Sequence, residues 1–461
     1  MINGENVFLT GEGGCGKSYA TEAFIEWCIV NKKRALICAP TGVAAINVGG
    51  VTMHRAFGMG IDYVEQSYLS GTREEIREVI AATDIIIIDE IGIVRSDSFT
   101  HVEYKCRKFA NHGNTTVTAE EAWGDKQIIA VGDFFQLAPV AKDKLITNMK
   151  DFRANLYKNY GGIFAFETQA WKDANFKNHI LFKSERHKDG EGATEYMGAL
   201  NKFRVGNASA IPYFNANCTG KLTANQQDTV ICFTNAKADD INRKRLAELV
   251  GQSWVIQDII KGTVSPGDRI APQALELKIG ARVTLLVNSK SGYVNGTMGV
   301  IEEIQMAVFE DDEDTIVVRE LDSDNVHYVK RYTWEIHEMA VENGKPIKKK
   351  IGECKQFPMR LAWAITAHKS QGKTLDSAII MLDGKFRSHG QTYVALSRVK
   401  SVSGITLFKH LSDRDLVCDP IVTQFYAGIQ GFKMQCEYDP RMHKLIAGLI
   451  ELEGLAPPDG C

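Results

Sequence analysis

A glycine-rich loop near the start of the chain restricts the fold more than any other feature of the sequence. The loop contains four glycines followed by a lysine and a serine, namely Gly11, Gly13, Gly14, Gly16, Lys17 and Ser18. An apolar run at residues 7–9 comes before it, and a helical pattern over residues 17–30 comes after it. A strand, a glycine loop and a helix in this order can direct backbone N–H groups at phosphate oxygens. The sequence therefore predicts an α/β fold with a phosphate-binding loop after its first strand.

The glycines alone fit two classes of nucleotide. Gly11, Gly13 and Gly16 also have the spacing of a dinucleotide-binding loop, so a nicotinamide-dependent oxidoreductase is one alternative. Lys17 and Ser18 favour a triphosphate instead, because the lysine reaches the β and γ phosphates and the hydroxyl binds Mg²⁺. A dinucleotide site gains nothing from that pair of residues.

An acidic pair after a later strand completes the pattern of a triphosphatase. Asp89 and Glu90 directly follow four isoleucines at residues 85–88. We expect Asp89 to hold Mg²⁺ through water, and Glu90 to activate the water that attacks the phosphate. The two motifs in this order predict a nucleoside triphosphatase that uses Mg²⁺, with Ser18 and Asp89 as the metal-binding residues.

Apolar runs along the chain predict two α/β cores. Short β-rich runs alternate with longer helical patterns in the first half, which indicates a parallel sheet covered by helices, and a second set begins near residue 165. Alternating β-rich runs joined by turns then predict a small inserted β barrel. The predicted boundaries are 1–164 for the first core with a short insertion near 57–80, 165–275 and 356–410 for the second core, 276–355 for the barrel, and 411–461 for a C-terminal extension.

Composition excludes some classes of protein. The 461 residues, 44% hydrophobic and 24% charged, are enough for roughly two to four domains. With 54 basic and 57 acidic residues there is no general attraction to polyanions, so any groove for nucleic acid must be local. The ten cysteines contain no Cys-x-x-Cys pair, and the apolar runs are short. We therefore expect a soluble, cytoplasmic-type protein that does not enter a membrane.

Three later segments carry a resemblance to a known family. Residues 132–140, 366–374 and 393–398 resemble motifs III, V and VI of superfamily 1B helicases. The chain is similar, over about residues 6–410, to the PIF (petite integration frequency) family of 5′-to-3′ DNA helicases, which is related to the Dda helicase and to RecD. The resemblance implies two RecA-like P-loop cores with ATP between them, and coupling of hydrolysis to movement along single-stranded DNA.

The same resemblance implies roles for individual residues. The catalytic set is Lys17, Asp89, Glu90, Gln136, Arg186 and Arg398. The nucleotide-binding set is Gly11, Gly13, Gly14, Cys15, Gly16, Lys17, Ser18, Gln136, Gly372 and Arg398. The DNA-binding set is Pro40, Thr41, Gly42, Thr52, His54, Thr366, His368, Lys369, Ser370 and Gln371. Arginines that arrive from a second core would stabilise the charge on the γ-phosphate. An alternative interpretation of Arg186 is an ordinary surface arginine, because the next residue is His187, whereas the family usually has glutamine there.

The expected partners are single-stranded DNA and duplex junctions, bound by a monomer. A DNA-stimulated translocase that separates duplex poorly would share every motif, so it stays open as an alternative function. The family has an adenine-contacting glutamine before the phosphate loop, but none lies among the ten residues before Gly11. For this reason we expect loose selectivity for the base.

Overall fold

Six parallel strands form the sheet of the first core. The computed structural model describes residues 1–59, 72–110, 121–140, 152–181, 192–219, 228–289, 292–307, 313–321, 323, 325–382 and 387–429. The strands are β1 (Val7–Gly11), β2 (Ala35–Ala39), β3 (Val51–Thr52), β4 (Ile85–Ile88), β5 (Gln127–Val131) and β6 (Lys177–Leu181). Their order is β3-β2-β4-β5-β1-β6. Since parallel strands end at the same edge, the loops after β4, β5 and β1 lie side by side there.

Helices cover both faces of this sheet. They are α1 (Lys17–Val30), α2 (Gly42–Asn47), α3 (Met53–Ala56), α4 (Glu74–Ala82), α5 (Ser96–Phe109), α6 (Phe152–Tyr160) and α7 (Gln169–Ala174). The isoleucines of β4 contribute to two apolar clusters, with Ile86 and Ile88 in one and Ile85 and Ile87 in the other. A strand that is buried on both faces has a continuous run of apolar residues, which is why β4 was predicted correctly from the sequence.

The second core has a smaller parallel sheet. Its strands are β7 (Thr229–Cys232), β18 (Ala364–Thr366), β19 (Ala378–Ile380) and β20 (Ile405–Leu407), in the order β18-β7-β19-β20. Its helices are α8 (Ala193–Arg204), α9 (Ala210–Cys218), α10 (Asn235–Glu248), α11 (Ala367–Ser370) and α12 (Gln391–Leu396). Two cores with parallel sheets are the predicted fold class, and this part of the prediction is confirmed.

Antiparallel strands occupy the chain between β7 and β18. They are β8 (Trp254–Gln257), β9 (Ile259–Gly262), β10 (Ala274–Leu277), β11 (Arg282–Leu285), β12 (Met298–Gln305), β13 (Thr315–Glu320), β14 (Val326–Lys330), β15 (Tyr332–Glu342), β16 (Lys345–Gln356) and β17 (Met359–Leu361). Their sheets are β14-β13-β12-β11-β17, β15-β16-β9 and β10-β8. The predicted barrel is not confirmed, because within the described residues the five-stranded sheet does not pair β14 with β17. Strands β8, β9, β10 and β17 also extend this antiparallel unit, which we call the insertion, beyond residues 276–355.

Two other predicted boundaries differ from the observed pairing. Strand β6 pairs with β1 over its whole length, so the first sheet extends to residue 181 and not to 164. The sequence did not predict β6 because its first three residues are polar and exposed, and an edge strand need not be apolar. A short insertion was predicted near residues 57–80 of the first core. Residues 60–71 of that segment lie outside the described residues. Phe57 and α4 at its two ends pack into the first core.

Within the described part of the chain, no helix combines the length and the apolar character needed to cross a bilayer. The eight cysteines described there are free thiols.

The described part of the C-terminal segment packs against the first core. Helix α13 (Pro420–Ala427) places the ring of Phe425 on that of Phe166, with centroids 4.2 Å apart. The hydroxyl of the fully buried Tyr426 lies 2.6 Å from Thr10 Oγ1 and accepts a hydrogen bond from Phe134 N at 3.2 Å. Through α13, the end of β1 and the segment after β5 share one buried polar group.

Replacing Tyr426 by phenylalanine tests the contribution of that hydroxyl. Tyr426→Phe leaves buried polar partners unsatisfied, so we expect the free energy of unfolding to fall by about 1–3 kcal/mol in urea denaturation. The matched variant Tyr19→Phe removes the hydroxyl of a tyrosine that is 78% exposed, and should change stability by less than about 0.5 kcal/mol. Equal stability of the two variants would contradict a stabilising role for Tyr426.

Candidate functional site

The phosphate loop has the backbone geometry that its glycines predict. Gly14 and Gly16 have φ angles of 83° and 88°, in the left-handed region that L side chains rarely adopt. A side chain on Gly11 would place its Cβ 2.4 Å from Leu181 O, so the loop also lies tightly against β6. Gly13 and the buried Cys15 complete the loop. Strand β1, this loop and α1 follow one another as predicted.

Lys17 is the first residue of α1, and its side chain lies over the loop. The ammonium donates hydrogen bonds to Gly11 O at 2.8 Å and to Glu12 O at 2.9 Å. Ser18 is exposed on the first turn of the same helix. The loop therefore presents one cation and one hydroxyl beside its backbone N–H groups.

The acidic pair follows β4 in an unusual backbone conformation. Glu90 has a φ of 53°, which costs energy for any residue with a side chain and is a feature found at functional sites. Burial raises the pKa of Asp89. Burial, and then the charge of Asp89, raise the pKa of Glu90 to about 7, while Lys17 and Arg398 act in the opposite direction. A carboxylate with a pKa near neutrality suits a general base.

A buried ion pair joins the segment after β5 to the second core. Asp133 accepts hydrogen bonds from Arg204 Nη2 at 2.8 Å and Nε at 3.2 Å, and Arg204 also lies over the ring of Phe135. Burial is the largest single effect and raises the pKa of Asp133, but the charge and hydrogen bonds of Arg204, with Lys17 and the N–H of Phe135, together outweigh it, so the pKa lies below its usual value. Arg204 was not predicted, because a single arginine at the end of a helix gives no signal in one sequence.

Gln371 connects the predicted DNA-binding and catalytic sets. Its side-chain amide donates hydrogen bonds to Glu90 Oε2 at 2.9 Å and to Gln136 Oε1 at 3.3 Å. Gln371 follows α11 in the second core, whereas Glu90 and Gln136 belong to the first. Gly372, with a φ of 78°, comes next. A residue predicted to contact DNA is therefore in direct contact with two residues predicted to act on ATP.

The loop before α12 also contacts the segment after β5. Asp419 N donates a hydrogen bond to His389 Nδ1 at 2.7 Å, so the ring proton is on Nε2. That Nε2 donates to Phe134 O at 2.7 Å. A Cβ on Gly390 would lie 1.7 Å from Gln136 O, so only glycine allows this approach. The second core thus holds the backbone around Gln136 in place.

Of the two predicted arginines, only Arg398 lies within the described residues. Its side chain is buried, where Nε donates to Val394 O at 2.9 Å and Nη2 to Ser397 Oγ at 2.8 Å. It is close enough to Glu90 for its charge to lower the pKa of that carboxyl. Arg186 lies in residues 182–191, outside the described residues.

The first-core residues predicted to bind DNA follow β2 and β3. Pro40 precedes Thr41, whose Oγ1 accepts a hydrogen bond from Ala44 N and so caps α2. Gly42 and Thr52 line a cavity of about 430 Å³ whose other wall is β15 of the insertion. His54 lies on α3, and burial followed by the charge of Arg95 lowers the pKa of this histidine.

The second-core residues predicted to bind DNA surround α11. Thr366 Oγ1 accepts a hydrogen bond from Lys369 N and caps this helix, as Thr41 caps α2. His368 and Lys369 are exposed, whereas the buried Ser370 donates its hydroxyl hydrogen bond to Ala367 O. The side chain of Ser370 therefore stabilises the loop and faces the protein interior.

Comparison with known proteins identifies the family. The profile of one protein family, PIF1-like helicase, matches residues 1–189. The ATP-dependent DNA helicase Pif1 of Campylobacter jejuni is 28% identical over 432 residues, which are 88% of this chain and 89% of that protein. The crystal structure of Bacteroides sp Pif1 in complex with ADP-AlF4 has a TM-score of 0.79 and 30% identity, covering 94% of this chain and 95% of that chain.

The structure of Bacteroides Pif1 bound to ssDNA is also similar, with a TM-score of 0.63 and 30% identity over 92% of this chain and 94% of that chain. Relatives that depend on ATP decide between the two nucleotide classes that the glycines left open, in favour of the triphosphate. The chain belongs to the PIF1-like helicase family of ATP-dependent DNA helicases.

Proposed function

We propose that this helicase converts ATP hydrolysis between its two cores into 5′-to-3′ movement along single-stranded DNA, and that it opens duplexes at junctions as a monomer. The observation that carries the coupling of ATP hydrolysis to DNA is the position of Gln371, whereas the proposed polarity follows from the resemblance to 5′-to-3′ helicases. The side-chain amide of Gln371 donates hydrogen bonds to both Glu90 and Gln136. Gln371 itself lies at the end of the loop that carries the second-core DNA-binding set. A displacement of that loop by DNA would therefore change the surroundings of the catalytic base directly.

The phosphate loop would hold the triphosphate of ATP. Lys17 would exchange its contacts with Gly11 O and Glu12 O for phosphate oxygens. Ser18 and Asp89 fit Mg²⁺, because both offer oxygen ligands and Lys17, the neighbour of Ser18, is close enough to Asp89 for its charge to act on that carboxylate. When bound, the metal would neutralise charge on the phosphates.

Glu90 would take the proton of the attacking water, and its raised pKa supports this role. Gln136 would contact the γ-phosphate, with Gly372 of the second core nearby. Arg398 would stabilise the charge that develops there when the cores close, and Arg186 is proposed to assist it. For Arg398, the proposal is supported by its electrostatic contact with Glu90.

The DNA strand would lie across the two capped loops. Pro40, Thr41, Gly42, Thr52 and His54 would contact it on the first core. Thr366, His368, Lys369, Ser370 and Gln371 would contact it on the second, with Ser370 contributing its backbone. The related helicase bound to ssDNA supports this partner. Short polar side chains and main-chain groups suit contacts that do not depend on sequence.

Two substitutions test the ATP site by different routes. Lys17→Ala removes a phosphate contact and Glu90→Gln removes the base, so we expect both to abolish ATP turnover measured with single-stranded DNA present. Glu90→Gln should still bind a fluorescent ATP analogue, whereas Lys17→Ala should bind it weakly. Near-normal hydrolysis by either variant would contradict the assigned site.

Substitution of Gln371 tests the link between the DNA and ATP sites. Because a hydrogen bond to a charged group contributes about 1.5–3 kcal/mol, Gln371→Ala should reduce DNA stimulation of the ATPase by about tenfold or more. Affinity for single-stranded DNA should change much less, because the other residues proposed to contact the strand remain. Gln169→Ala is the control, since this exposed glutamine bonds Asp173 on its own helix. Full DNA stimulation in Gln371→Ala would show that the contact carries no signal.

Duplexes with a single-stranded tail test the proposed polarity. We expect strand separation with a 5′ tail and little with a 3′ tail, measured by release of a labelled strand. Activity confined to the 3′-tailed duplex would contradict the polarity. DNA-stimulated ATPase without strand separation on either substrate would favour the translocase alternative.

A further inference from the structure

Two basic side chains meet where the insertion joins the second core. Arg360 on β17 stands opposite Thr284 on β11, and directly paired residues of neighbouring strands point to the same face of a sheet. Lys373 Nζ, from the loop after α11, donates a hydrogen bond to Thr284 Oγ1 at 3.3 Å. Arg360 and Lys373 therefore lie on either side of one threonine.

Lys369 belongs to the same group of cations. The charge of Arg360 acts on both lysines, and it lowers the pKa of each in addition to burial. Burial is the larger cause for Lys373, whose pKa falls to about 8. Asp239 is the acidic group that acts on Lys369 in the opposite direction. We call Arg360, Lys369 and Lys373 the basic cluster.

The hydrogen-bonding capacity of Arg360 is incompletely used. Its Nη2 donates to Ile270 O at 2.5 Å. Its Nε is buried and has no hydrogen-bond partner among the described residues. A buried donor without a partner costs about 1–3 kcal/mol, so a ligand that accepts from Arg360 would recover part of that energy.

The carboxylates beside Lys373 already have other partners. Asp376 and Glu320 line the same cavity of about 420 Å³ as Lys373. Asp376 forms an ion pair with Lys400 at 2.5 Å, and Glu320 accepts hydrogen bonds from Ser323 and Asn325. Lys400 therefore already neutralises Asp376, and among the described residues no carboxylate forms an ion pair with Arg360 or Lys373.

We propose that Arg360 and Lys373, together with Lys369 of the α11 loop, bind a phosphodiester group of the single strand next to the contacts already assigned to that loop. This inference rests on the proposed function. Lys369 lies in α11 and Lys373 follows this helix, and the charge of Arg360 on β17 acts on both lysines, so the basic cluster borders the loop that would touch the strand. A phosphate accepts hydrogen bonds from both a guanidinium and an ammonium group, without regard to base.

The salt dependence of DNA affinity tests the proposal. Each phosphate contact on a single strand contributes about −0.7 to the slope of log K against log salt concentration. We expect Arg360→Gln and Lys373→Gln each to make the slope shallower by about that amount, in fluorescence anisotropy with labelled oligo(dT). Lys373→Arg, which keeps the charge, should restore the slope. Lys172→Gln is the control and should leave it unchanged, because this exposed lysine lies on α7 of the first core and not in the basic cluster.

Unchanged slopes in both glutamine variants would overturn the proposal. If Arg360→Gln does not fold, the comparison of Lys373→Gln with Lys373→Arg decides alone. Inorganic phosphate offers a second test, in which the melting temperature is compared in phosphate and in chloride. If phosphate stabilises the wild-type protein but not Lys373→Gln, and the DNA slope is the same in both proteins, the cluster binds free phosphate. That result would also overturn the proposal. Failure of the proposed function has a different signature, since the wild-type protein would then not bind oligo(dT) at all.

Discussion

The ion pair between Asp133 and Arg204 links the first core to the second and fixes their relative position. Both side chains are buried, and charges in such a place are tolerated only when paired and hydrogen bonded. Asp133 also accepts from Phe135 N at 3.1 Å, and the guanidinium lies 4.5 Å from the centre of the Phe135 ring. Removing one partner of a buried pair costs about 3–5 kcal/mol, because the other charge is left in the interior. The position of Gln136, three residues after Asp133, depends on this pair.

Several elements converge on the same short segment. Tyr426 binds its backbone from the C-terminal helix, His389 binds it from the loop before α12, and Gln371 reaches it from the loop after α11. Each contact comes from a part of the chain that is distant in sequence. Residues 133–136 are therefore held by all three, and Gln371 in addition contacts Glu90.

What the sequence could predict was local in character. A glycine loop between a strand and a helix, or four isoleucines before Asp89, contains its own evidence. Arg204 and Tyr426 lie in ordinary helical segments, and their importance arises from partners far along the chain. Closure of the insertion into a barrel likewise depends on which edges pair, whereas alternation of residues predicts only strands. The direct contact of Gln371 with Glu90 could not be predicted either, because it joins two residues that are far apart in the sequence.

The hairpin β15–β16 has a consequence for how the molecule can move. It leaves the second core as part of the insertion but reaches the first, where Arg55 bonds His337 O at 3.2 Å and Arg73 bonds Glu338 at 3.2 Å. Lys348 on the same hairpin bonds Gly49 O. First core, second core and insertion are thus joined pairwise into a closed ring. Bodies linked in a ring have fewer independent displacements than two bodies on one hinge, so separation of the two cores requires the hairpin to be released, the hairpin to bend, or the insertion to turn against the second core.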